Sequence, residues 1–140
     1  MKTIARNAGA VIAGIIIGSI VNILLVNLGP YVVPLPEGAD VSTPEALAAS
    51  MPLFGPANFI FPFLGHAIGT LVGAFVAAKL AGSHRFVMAM IVAVFFLAGG
   101  IAAAIMLGGP VWFTVLDLVV AYIPMGMLAA RLAGVRLGRA

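Results

Sequence analysis

Four long runs of apolar residues divide the chain, and most of the prolines and three of the four acidic residues lie between them. The runs cover about residues 8–28, 58–80, 86–107 and 111–132. Each is close to the roughly 20 helical residues needed to cross a hydrocarbon layer of about 30 Å. The pattern therefore predicts an all-α integral membrane protein with four transmembrane helices, folded as one transmembrane domain over residues 1–140.

The connections differ in length. Residues 108–110 form a tight turn, 81–85 a short one, and 29–57 a long segment of the kind that often carries function. Its start, from Gly29 and Pro30 to Gly38, reads as extended or turned because proline fixes φ and restricts its predecessor. Thr43, Pro44 and Glu45 then read as a helix start, with Thr43 as N-cap, Pro44 at the first helical position and Glu45 facing the positive end of the helix dipole. A short interfacial helix is expected over residues 44–50, serving as a surface connector or as a lid over a pocket.

Two segments resemble each other within the chain. Ala77-Ala78-Lys79-Leu80-Ala81-Gly82 closes the second run and Ala129-Ala130-Arg131-Leu132-Ala133-Gly134 the fourth, while Gly29-Pro30 and Gly109-Pro110 follow the first and third. The matches suggest a duplicated helical hairpin, the first copy carrying the long insertion.

Composition excludes the soluble alternative. With 64% hydrophobic and 8% charged residues and a mean hydropathy of +1.25, a 140-residue globule could not cover itself with polar groups. The net charge of +3 does not point to nucleic acid, because the cations form no stripe. They report topology instead. Lys2 and Arg6, Lys79 and Arg85, and Arg131, Arg136 and Arg139 all fall on one side of a four-span arrangement, with Glu37, Asp40 and Glu45 on the other. That asymmetry predicts both termini in the cytoplasm of a bacterial-type inner (plasma) membrane. Lys2 and Arg6 before an apolar run also resemble a signal peptide, but the run is long and no small-residue cleavage site follows closely, so a retained anchor is expected.

The absence of cysteine removes disulfide, thiolate and cysteine–metal chemistry. No hydrolase, zinc-peptidase or phosphate-loop motif is present, so neither an enzyme nor a cofactor is expected. The methionines and phenylalanines read as packing residues, and no metal site is expected.

Small residues recur every four positions. Gly65, Gly69, Gly73 and Ala77 form one groove, and Ala10, Gly14 and Gly18 form another that continues to Asn22. Such grooves let helices approach closely, here either the first span against the second or one copy against another.

The candidate chemistry is a polar layer. Asn22, His66 with Thr70 on its face, and Asp117 lie at similar depth, roughly 10 Å below one edge of the hydrocarbon. Gly99 and Gly100 leave room at that depth, and Pro124 should bend the fourth span as a hinge, with Asp117, Ala121 and Pro124 on one interior side. A charged aspartate at a helix centre in lipid costs about 2.5–3.5 kcal/mol, so Asp117 needs a partner, and His66 is the natural one. The layer is either a satisfied hydrogen-bond cluster fixing helix register or a pocket for a cation, a proton or a polar head group. The sequence thus predicts a small lipid-embedded protein of binding or structural type, self-associating or accessory to a larger membrane protein. The alternative is a small proton- or cation-coupled transporter or channel.

Overall fold

A computed structural model describes residues 1–136; Arg139 lies outside the described residues. The chain is all-helical, with no strand among the described residues, and four of its helical stretches are long and apolar enough to cross a membrane, as in a multi-pass membrane protein.

The first helix, α1 (Lys2–Val32), is longer than its apolar run. At 1.5 Å per residue it extends about 46 Å, well beyond a hydrocarbon core of about 30 Å. The expectation that Gly29 and Pro30 leave the helix is corrected: the helix continues through Pro30 to Val32. Proline in a last turn removes only one bond, and the Val33 N–H still closes on the Gly29 carbonyl at 2.8 Å.

The following segment contains α2 (Pro44–Ser50) and two 3₁₀ turns, Met51–Leu53 and Pro56–Phe59. The Ala46 N–H donates to the Thr43 hydroxyl oxygen at 3.1 Å, which makes Thr43 the N-cap, with Pro44 beside it where no backbone donor is needed. Ser50, buried, fastens the segment to itself. Its hydroxyl accepts from Asp40 N–H at 2.9 Å and donates to the Asp40 carbonyl at 3.1 Å. Asn58 ties the segment's two ends together, donating to the Pro34 carbonyl at 3.2 Å and accepting from Gly55 N–H at 3.0 Å.

Helices α3 (Ile60–Leu80) and α4 (Arg85–Leu107) follow, joined by a short turn. Gly108 ends α4 in the left-handed conformation at φ 63°, where a side chain would be strained. The fourth span is two helices, α5 (Val111–Val120) and α6 (Ile123–Leu132), interrupted at Ala121 and Tyr122. Pro124 is the cause: it has no N–H for the Val120 carbonyl, and its ring would press on that carbonyl in a continuous helix. The expectation that Pro124 shares the interior face of Asp117 is corrected. Pro124 is exposed, and after the break Tyr122 and Gly126 turn inward instead.

Helix α3 sits at the centre, packed on α1, α4 and α6. Its contact with α1 is the most intimate. A Cβ at Gly14 would stand 2.5 Å from the Gly73 carbonyl oxygen, and one at Gly18 would stand 2.6 Å from that of Gly69. The glycines at 14, 18, 65, 69 and 73 are therefore occupied within the chain and offer no groove to a second copy. With apolar lipid as solvent, dispersion from such close contact is the main attraction between helices. The other face of α3 meets α4 and α6 through alanine: Ala74, Ala77, Ala78, Ala89, Ala93, Ala129 and Ala130 are fully buried.

The two ends of the bundle differ in chemistry. At one end Arg6 donates to the Leu80 carbonyl at 2.8 Å, and the Asn7 amide oxygen accepts from Gly82 N–H at 2.9 Å. Arg85 there donates to the Ala78 carbonyl at 2.7 Å and the Ala133 carbonyl at 2.8 Å. The two arginines satisfy terminal carbonyls that α3 and α6 cannot pair themselves, and their charge suits the negative ends of the helix dipoles. The acidic loop and the turn at residues 108–110 occupy the opposite end.

Candidate functional site

A cavity of about 280 Å³ opens between the helices at the loop end. Its walls come from α1 (Val26, Gly29, Pro30), the start of α3 (Phe61, Pro62), the end of α4 (Gly100, Ala103, Ala104, Leu107) and α5 (Phe113, Thr114, Leu118). The long loop roofs it with Val41, Leu47, Met51 and Phe54. Of the two roles open to the loop and its short helix, covering a pocket is thus the one its geometry performs. Phe59 anchors this roof, packing on Phe54, Phe113 and Trp112 at ring-centroid distances of 6.1, 4.6 and 5.6 Å. A shallower hollow on the outer face of α4, lined by Gly99, Ala102 and Met106, shares Val41, Leu47, Ala103 and Leu107 with the cavity.

His66 and Asp117 lie at its inner end. Their juxtaposition follows from helix geometry: α3 carries His66 about 100° around from Gly65, away from the α1 seam and toward α5. His66 Nδ1 is 2.9 Å from both carboxylate oxygens of Asp117. The Tyr122 hydroxyl donates to Asp117 Oδ2 at 2.8 Å, and its ring lies 5.9 Å from the His66 ring at an interplanar angle of 29°. Asp117 is 4% exposed and Tyr122 1% exposed, whereas the His66 side chain keeps 21% of its surface. A carboxylate this buried is tolerable because both oxygens accept hydrogen bonds.

Tyr122 was not singled out in the sequence. It reaches Asp117 because the helix break turns it inward and because Gly100 leaves space; a Cβ at Gly100 would collide with its hydroxyl oxygen. A tyrosine five residues after the one aspartate inside an apolar run and two before a proline was the available signal.

The polar layer is not one cluster, and that expectation is corrected. Asn22 does not reach His66 or Asp117. It lies on the α1–α3 seam, where a Cβ at Gly65 would stand 2.8 Å from its Oδ1 and one at Gly69 would stand 2.9 Å from its Cβ. Asn22 Oδ1 is buried without a hydrogen-bond partner. The physical reason is that α3 is buried on two sides, so residues at one depth face different neighbours. Thr70, fully buried beside the site, donates its hydroxyl to the His66 carbonyl of its own helix at 2.7 Å. It supports the turn that carries His66 without touching Asp117's oxygens.

Chemically, the arrangement can share a proton between His66 and Asp117 and leaves the second imidazole nitrogen of His66 free. With Nδ1 donating to the carboxylate, the neutral ring carries its lone pair on Nε2, which has no hydrogen-bond partner among the described residues. Thr114 is the cavity lining's one side-chain hydroxyl, and no lysine or arginine lines it. Among the described residues, no three histidine, aspartate or glutamate side chains gather as a metal site requires.

Fold and site together define a class, a multi-span helical protein with an apolar cavity floored by a histidine–aspartate–tyrosine chain. No protein-family model, curated protein or solved structure matches the chain.

Proposed function

We propose that this protein is a small plasma-membrane binding protein that holds an apolar molecule in the roofed cavity, with the His66–Asp117 pair as its polar floor. One observation carries the reading: the roofed cavity is apolar over most of its wall and converges on a single hydrogen-bonded ionisable pair, the usual build of a small-molecule site. The gathering of the described cations at one end supports a cytoplasmic location for that end under the positive-inside rule, and with it a cavity open to the outer side. The lipid bilayer is the main partner. Any contact with a second copy or a larger membrane protein would use the exposed aliphatic face of α1, such as Ile12, Ile16 and Ile23, because the glycine faces are filled internally.

Heat stability tests this reading. Ligands that bind only the folded state raise the melting temperature with concentration. Naphthalene should stabilise the purified native chain and leave Ala103→Phe, whose side chain fills the cavity, unmoved. Equal shifts in both proteins would mean general partition into the detergent and would end the proposal.

A second reading, a proton- or cation-coupled transporter, draws on the helix interruption one turn from Asp117, since broken helices flank the sites of many transporters. The alanine core between the site and the basic end supports the binding reading over it, because its side chains are fully buried against one another.

A further inference from the structure

Resting on the binding reading above, we infer that the cavity's ligand is an uncharged, lipid-soluble ring compound bearing a hydroxyl group, which donates its hydrogen bond to His66 Nε2. Four observations narrow the chemistry. First, an anion is disfavoured, because no lysine or arginine lines the cavity and Asp117 stands at its floor. Second, a cation gains little, because the Asp117 carboxylate is 4% exposed and already accepts from His66, shared between its two oxygens, and from Tyr122 at Oδ2. Desolvating a charge against apolar walls would then go uncompensated. Third, the floor's unpartnered atom is an acceptor in the tautomer that the contact favours: with Nδ1–H donating to the Asp117 carboxylate, a neutral imidazole keeps its lone pair on Nε2. A hydroxyl group supplies the matching donor without bringing charge.

The fourth observation is shape. About 280 Å³ is roughly twice a cavity that accepts benzene, and Phe54, Phe59 and Phe113 supply flat aromatic surface, so one or two fused rings fit. The hollow outside α4 meets the cavity at Val41, Leu47 and Ala103, beside the exposed Ile105 and Met106. A lipid-dissolved molecule therefore has a short route in under the edge of α2.

The test compares 2-naphthol, 2-methoxynaphthalene and naphthalene by equilibrium binding to the full chain in lipid nanodiscs, with Ala103→Phe nanodiscs as the blank. In the native chain 2-naphthol should bind about tenfold more tightly than the other two, the effect of one well-placed hydrogen bond. His66→Phe should bind naphthalene and lose the naphthol preference; if that variant does not fold, the ligand comparison in the native chain decides alone. Equal affinities for all three, each abolished by Ala103→Phe, would overturn the hydroxyl assignment and leave the cavity reading standing. Preference for the methoxy compound would overturn it in favour of a ligand that accepts from His66. Binding indistinguishable from the blank for all three would overturn both readings.

Discussion

Gly100 and Tyr122 share one space: a side chain on the third span would occupy the point where the Tyr122 hydroxyl oxygen meets Asp117. The site's third member thus depends on a glycine that makes no hydrogen bond of its own to it.

Gly100→Ala should displace Tyr122 and break its bond to Asp117, lowering stability by about 1–3 kcal/mol. Gly99→Ala is the matched control, since nothing lies within 4 Å of a Cβ there. Alanine in a helix interior is favourable relative to glycine, so this neighbour should be neutral or slightly stabilising. Thermal unfolding of the two variants side by side checks the contrast, and equal losses would contradict the packing described.

Along the α1–α3 seam, Gly14→Ala and Gly69→Ala should each push the helices apart, because the opposing atom is a backbone carbonyl that cannot rotate away. A loss of about 1–3 kcal/mol is expected for each. Gly9→Ala, on the same helix but facing open space, should leave the melting temperature almost unchanged.

Asp117 accepts from two residues, so its loss strands both. Asp117→Leu should destabilise more than Tyr122→Phe, which removes one donor and leaves the carboxylate paired with His66. In a double-mutant cycle the pair should show coupling of about 0.5–3 kcal/mol. Strict additivity would mean that Tyr122 and Asp117 do not interact.

The loop carries its own pH response. Asp40 Oδ1 accepts from Ser42 N–H at 2.8 Å, and hydrogen bonding to Ser42 holds the carboxyl below its ordinary value. A lowered folded value means the contribution is present above the unfolded value and fades as pH falls through the folded one. Hydrogen exchange at the Ser42 amide, corrected for intrinsic rates, should accelerate across that acidic window. In Asp40→Ala the amide should be fast at every pH.

Much of the architecture was legible in the sequence because lipid imposes simple rules. Span number and approximate ends follow from apolar length, and the Thr43–Pro44 start of α2 follows from backbone donors that a cap must satisfy. The depth shared by His66 and Asp117 follows from a constant rise per residue. What the sequence by itself determined, then, was which segments are helices long and apolar enough to cross a membrane and which polar residues stand at one level along them. Tertiary structure alone decided which neighbour each residue faces. Asn22 and His66 lie at similar depth yet point to different seams, because α3 has partners on more than one side. Tyr122 joined the site through a helix break whose cause, Pro124, was visible but whose rotation was not. The roof over the cavity likewise arose from contacts among residues far apart in sequence, and no local pattern encodes those contacts.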